Sequence, residues 1–274
     1  MIGTTALARR IEAAEVRLGL AVVDGARERG DTVVFAERVG SGVAVYCGPG
    51  APMTKVIGAG VAEPVTDEDI DCVEGAFAPV GERPVWEVSS LGDLASVRRL
   101  EGRGYRLQRV ELVLGRDLAR PTLIDPPPRG IVVTRGRDED WARVAVAGFS
   151  VPDVVDGRDG PAEQFDLDAL EGVMRQFAGA PDIRRYVALL DGEPAGAASG
   201  RVDAGLFQLF GAATLPQFRR RGVQGALLGA RLAEARQAQC DLAVVTVEPG
   251  SLSQSNVDRR LFTPLYSRLV LAHS

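Results

Sequence analysis

Seven consecutive residues, Arg219-Arg220-Arg221-Gly222-Val223-Gln224-Gly225, combine three guanidinium groups with two glycines at the start of a helical pattern. Residues 206–213 before them read as a buried strand. Residues 223–238 after them place Leu227, Leu228, Leu232 and Ala235 on one apolar face. The segment from Phe207 to Ala226 is therefore strand, basic turn and helix. A helix start leaves backbone N–H groups unpaired and carries partial positive charge, so it favours a phosphate oxygen. Gly222 and Gly225 let a ligand approach the backbone, and guanidinium groups suit phosphate geometry. Taken alone, such a run also reads as a solvated arginine cluster. The chain has no GxxxxGK[ST] loop and no GxGxxG after a strand, which removes the nucleoside-triphosphate and dinucleotide readings.

Other chemistry is narrowed by what is missing. The one histidine, His273, lies one residue from the end, which argues against histidine triads, histidine metal sites and a histidine base. Cys47, Cys72 and Cys240 are odd in number and lack CxxC spacing, as expected of buried reduced thiols; no metal is expected. The formal net charge of −5 disfavours a general nucleic-acid binder, so any anion site must be local. No apolar run approaches the ~20 residues that span a bilayer. The first ten residues lack a leader pattern, and the expectation is a cytoplasmic protein without membrane or nucleic-acid partners.

The elements that must position the turn fall into two halves. The 274 residues are long enough for two ordinary domains. Proline-dense residues 115–129 read as a linker, with domains expected at 1–125 and 126–274. In the first, helices are predicted at 6–29, 66–77 and 91–102, and strands at 32–39, 43–47, 55–61, 84–88 and 105–114. In the second, strands are predicted at 131–134, 185–190, 195–202, 206–213, 242–247 and 265–271, with helices at 139–147, 167–177, 223–238 and 251–260. The halves also resemble each other. A shift of 271 − 114 = 157 sets residues 111–114 on 268–271 and 85–88 on 242–245, while 212 − 59 = 153 sets 56–59 on 209–212. The four extra residues of the second half fall around 217–221, so one nucleotide site per chain is predicted.

The turn resembles the signature of the GNAT superfamily of acyl-CoA-dependent N-acyltransferases, Gln/Arg-x-x-Gly-x-Gly/Ala. Residues 219–224 fit it at Arg219 and Gly222, and Gln224 replaces the usual final small residue. The resemblance extends from Ile131 to the C-terminus, with a degenerate version in the first half. It implies two GNAT-like α/β lobes, each a mixed, mostly antiparallel sheet flanked by helices, the second binding acetyl-CoA or another acyl-CoA. It also implies a strand splayed from its neighbour, with main-chain groups of Ala212, Ala213 and Thr214 bordering the acyl group. Ser253-Gln254-Ser255-Asn256 recurs in similar two-lobed bacterial proteins, and Ser253 and Asn256 are candidates for the pantetheine or thiolate, or else helix-capping residues.

The implied reaction is direct attack of an amine of a small molecule or peptide on the thioester. The tyrosine that often serves as acid in the family is absent, with Val257 in its place, which leaves Tyr266 on the final strand as a candidate acid or a packing residue. Glu248, after strand 242–247, is the first choice for a base. Asp153, Asp156, Asp159, Glu163 and Asp166 form an acidic stretch that would attract a cationic acceptor or simply face solvent. The missing tyrosine keeps a second reading open, a catalytically inactive acyl-CoA-binding or interaction module. Trp86 is expected in the core, and oligomeric state and acceptor identity are not legible.

Overall fold

The apolar spacing of the first segment folds as α1 (Thr5–Glu28), whose start is capped by Thr4 Oγ1 accepting from the Leu7 amide at 3.2 Å. After it come β1 (Phe35–Val39), β2 (Gly42–Tyr46), β3 (Lys55–Ile57), α2 (Asp67–Phe77), β4 (Trp86–Ser89), α3 (Leu94–Gly102) and β5 (Tyr105–Asp117). The chain continues with β6 (Ile131–Arg135), α4 (Asp138–Phe149), β7 (Val154–Val155), β8 (Arg158–Asp159) and α5 (Leu167–Gly179). It ends with β9 (Ile183–Leu190), β10 (Glu193–Asp203), β11 (Leu206–Thr214), α6 (Val223–Gln237), β12 (Leu242–Val247), α7 (Leu252–Asp258) and β13 (Thr263–His273). These elements come from a computed structural model that describes residues 3–119, 126–136, 138–151, 154–155, 158–159, 167–180 and 182–273. Among the described residues, no helix is long and apolar enough to cross a membrane.

Packing divides the chain into Met1–Val113 with Pro264–Ser274, and Leu114–Thr263. This differs from the single expected boundary at 125, because β13 pairs antiparallel with β4, from Arg268 opposite Ser89 to Leu271 opposite Trp86. Leu271 is fully buried there with Trp86, Tyr105, Phe77 and Ile70 in one apolar cluster. Trp86 is thus a core residue, as expected. His273 lies against the Tyr105 ring at 4.7 Å between centroids. Cys47 and Cys240 are buried and Cys72 is exposed, and none of the three is in a disulfide.

The first unit orders its strands β1-β2-β3-β4-β13-β5, and the second β6-β9-β10-β11-β12. Each contains one parallel pair followed by the same arrangement of helices: β3 with β4, at Val56 opposite Trp86, and β11 with β12. Gly58 (φ 73°) and Gly211 (φ 58°) occupy equivalent places, 211 − 58 = 153, and both adopt the left-handed region. The repeat read from the sequence therefore coincides with a repeated backbone feature.

The first unit also buries an ionic network. Glu12 on α1 accepts from Tyr266 Oη at 2.6 Å and from Arg268 Nε at 2.8 Å. Lys55, the only lysine, donates to Glu87 at 2.7 Å, and Arg268 reaches Glu87 at 3.8 Å. Burial raises the Glu12 carboxyl pKa and outweighs the opposing pull of Arg268. Burial also pushes Glu87 upward, but Lys55 and Arg268 hold it below the usual carboxylate range. Removing one partner strands a buried charge, so Arg268→Met is expected to destabilise the protein by roughly 3–5 kcal/mol in urea denaturation. An unchanged midpoint would show that the network contributes nothing net.

Candidate acyl-CoA site

The site begins where β11 leaves its neighbour. Leu206 to Leu209 run parallel with Leu242 to Val245, and the ladder ends there although β11 continues to Thr214 and β12 to Val247. The cause lies on the other edge of β11. Ala197 of β10 faces Ala213 and Ser199 faces Phe210, so Ala198 alone opposes both Gly211 and Ala212. This extra residue is a β-bulge, and the positive φ of Gly211 accommodates it. Residues 212–214, expected to border the acyl group, thus lie on the stretch of β11 outside its ladder with β12.

A short 3₁₀ turn, Pro216–Phe218, then leads to Gly222, the N-cap of α6 at φ 87°. Among the described residues, no side chain caps this helix. Helices α1, α2, α3 and α7 are capped by Thr4, Thr66, Asp93 and Ser251. The intrahelical ladder starts with the Ala226 amide donating to Gly222 O at 3.0 Å, which leaves the amides of 223–225 at the open end. Two nearby oxygens, Thr214 Oγ1 and Gln224 Oε1, are buried without a hydrogen-bond partner among the described residues. Gln224, the departure from the family pattern, therefore holds an unused acceptor beside the open amides.

The three arginines separate in role. Arg219 is turned inward: Nε donates to Thr214 O at 3.3 Å and Nη2 to Gly148 O at 3.2 Å and to the Val151 carbonyl. It ties the turn to the end of α4, a use not legible in the run of three. Arg220 is exposed at φ 60°. Arg221, also exposed, lies over the Phe218 ring at 5.9 Å and 3.8 Å from Asp191. Sequence reasoning missed a fourth cation, Arg260. Its Nη2 stands 3.7 Å from the position a Cβ on Gly225 would take, and its carbonyl accepts from the buried Arg116 at 3.0 Å. A basic residue after α7 carries no signal of proximity to α6.

The remaining candidates scatter. Glu248 is half-buried immediately after β12, at the end toward which β11 and β12 separate. Ser253 is exposed on α7, and Asn256 accepts from Arg259 at 3.3 Å. Gln254 Oε1 accepts from the Gly250 amide at 2.8 Å, and Ser251 supplies the cap. Tyr266 belongs to the first unit, where its hydroxyl is buried against Glu12. That bond already engages the phenol proton, and burial raises the phenol pKa well above its ordinary value, both of which count against Tyr266 as the acid. Asp153, Asp156, Glu163 and Asp166 lie outside the described residues. So does the side chain of Asp159, whose backbone forms part of β8.

The equivalent helix start in the first unit is closed. Thr66 and Asp69 cap α2 reciprocally, the first turn carries Asp67, Glu68 and Asp69, and Arg99 and Arg103 bind Asp67. An anion would meet three carboxylates there instead of open amides. In the second unit, Arg219→Met is expected to cost about 1–3 kcal/mol of stability by loss of charge-assisted bonds to carbonyls. Arg221→Ala is expected to change stability by less than about 0.5 kcal/mol. Equal effects on thermal melting would contradict the assignment of Arg219 as an internal tie.

Comparison with known proteins agrees with this geometry. Residues 151–254 match the Acetyltransferase (GNAT) family. A GCN5-related N-acetyltransferase from Kribbella flavida superposes with TM-score 0.63 at 17% identity, over 93% of this chain and 94% of that one. A tandem GNAT protein from the clavulanic acid biosynthesis pathway superposes with TM-score 0.60 at 14% identity, over 92% of this chain and 86% of that one. A GCN5-related N-acetyltransferase from Sphaerobacter thermophilus gives TM-score 0.54 at 14% identity, over 74% of this chain and 64% of that one. No curated protein matches the sequence. At these identities the superpositions speak for the fold alone, a GNAT fold over most of the chain, within which residues 151–254 match the GNAT family model.

Proposed function

We propose that this protein is an acyl-CoA-dependent N-acyltransferase, with acetyl-CoA as the donor and an amine of a small molecule or peptide as the acceptor. The observation that carries this reading is the uncapped start of α6 directly after the bulged, splayed strand β11. The pyrophosphate would be held by the amides of 223–225, with Arg220, Arg221 and Arg260 supplying charge around it. The pantetheine arm would follow residues 212–214, whose main-chain groups polarise the thioester carbonyl, with Ser253 and Asn256 of α7 as further polar contacts. Three cysteines outside any disulfide fit a reducing compartment such as the cytoplasm.

In the reaction, the neutral amine attacks the thioester carbon, the C–N bond forms, the C–S bond breaks and the thiolate takes up a proton. Glu248 is the base of this account, removing the amine proton directly or through one water.

Acetyl-CoA at a hundredfold excess over its dissociation constant should stabilise the protein by about 2.7 kcal/mol, read as a rise in melting temperature. No rise at millimolar acetyl-CoA would sink the reading. Glu248→Gln should lower the turnover of a reactive amine by about 100-fold or more while acetyl-CoA affinity stays unchanged. A variant with full turnover would remove Glu248 from the mechanism and leave the donor site standing.

A further inference from the structure

Arg231 is on the buried face of α6 and is 3% exposed. Its guanidinium bonds only to carbonyls among the described residues: Nε donates to Leu227 O and Nη1 to Ser199 O, both at 3.2 Å. Burial pushes its pKa down to about 10, opposed only in part by the Tyr186 phenol, and among the described residues no carboxylate bonds to it. A methionine would occupy such a place more cheaply, so packing alone does not account for an arginine.

The strand carbonyl it binds is informative. Ser199 is the residue of β10 at which pairing with β11 resumes beside the bulge. The preceding carbonyl, of Ala198, lies opposite Gly211 and Ala212 and accepts from Trp141 Nε1 of α4 at 3.2 Å. Two successive β10 carbonyls beside the bulge are therefore held by side chains from two different helices. Ser199 Oγ, buried and without a hydrogen-bond partner among the described residues, stands 3.4 Å from where a Cβ on Gly211 would be, an ordinary packing contact with the bulge.

We propose that Arg231 is a positioning residue for acyl transfer, locking α6 to β10 beside the bulge so that residues 212–214 of the paired strand β11 keep one orientation toward the thioester. The inference rests on the acyl-CoA reading. The open amides at 223 and the guanidinium-bearing residue 231 share one helix, eight residues or ~12 Å apart along its axis. Helix α6 thereby sets both the place of the phosphates and the place of the bulge, and Arg231 is its rigid connection to the second. Misplacement of a reacting group by about 1 Å can reduce a rate by about 100-fold, so such a connection bears directly on the chemistry.

The test compares wild type, Arg231→Met and Arg231→Lys by thermal melting, by calorimetric titration with CoA and acetyl-CoA, and by hydrogen exchange of residues 210–214 with acetyl-CoA bound. Arg231→Met should melt no lower than wild type and keep its CoA affinity within about threefold. It should also lose at least about tenfold of the protection that acetyl-CoA confers on residues 210–214. Arg231→Lys, which keeps charge and donors, should recover part of that protection. Wild-type protection in Arg231→Met overturns the positioning role alone. A parallel loss of melting temperature, CoA affinity and protection overturns it too, since that is the signature of general destabilisation. A wild-type protein that binds neither CoA nor acetyl-CoA overturns the acyl-CoA reading and this inference with it. If the methionine variant does not fold, Arg231→Lys decides: reduced protection at retained CoA affinity supports the role, and full protection rejects it.

Discussion

The amides of a helix's first turn have no partners within the helix, and something else must satisfy them. In this protein Thr4, Thr66, Asp93 and Ser251 do so for four helices, while Gly222 offers nothing to α6. This uncapped start lies where β11 has just parted from β12. An open electropositive helix end and a strand that has left its ladder with β12 are the two features the acyl-CoA reading uses, one for the phosphates and one for the thioester. Both depend on the placement of α6, and much of the second unit's polar bonding secures that helix. Glu234 accepts from Arg135, Arg184 and Tyr186, and Arg231 binds the backbone of β10.

The two units differ at their equivalent helix starts. Both have a parallel strand pair, a glycine in the left-handed region and a helix that follows. In the first unit the helix start is filled by its own Thr66 and surrounded by carboxylates. The space around its paired strands holds Glu12, Glu87, Lys55 and Arg268 instead, an arrangement that fixes charges against one another. On the acyl-CoA reading, local helix-cap chemistry would account for a difference in anion preference without any change in the order of strands and helices.

Much of this organisation was legible in the residues. Residues 242–247 formed the strand expected of them, and residues 223–238 gave α6 to within one residue, because period-two and period-3.6 patterns are local properties. Gly222 as the site of a bare helix start was legible for the same reason. What was not legible depends on reach and on partners distant in sequence. Arg219, Arg220 and Arg221 look identical in a string, yet only the first finds the carbonyls of Gly148 and Val151. Tyr266 lies on the predicted final strand, but the pairing of that strand with β4 places it in the first unit against Glu12. Arg231 was hidden by its neighbours Leu227, Leu228 and Leu232, which mark an apolar face on which an arginine attracts no notice. The short strands β7 and β8, two residues each, are below the length at which alternation carries information.

The central claim is that the open start of α6 is the phosphate site and that the equivalent start of α2 is not. It is tested most directly by adding acetyl-CoA to the isotopically labelled protein and following individual backbone amides by NMR. The account predicts large shifts at Val223, Gln224 and Gly225, saturating together at one equivalent per chain, with Asp67, Glu68 and Asp69 unmoved. Shifts at residues 67–69, or a bound ligand that leaves residues 223–225 unmoved, would contradict it.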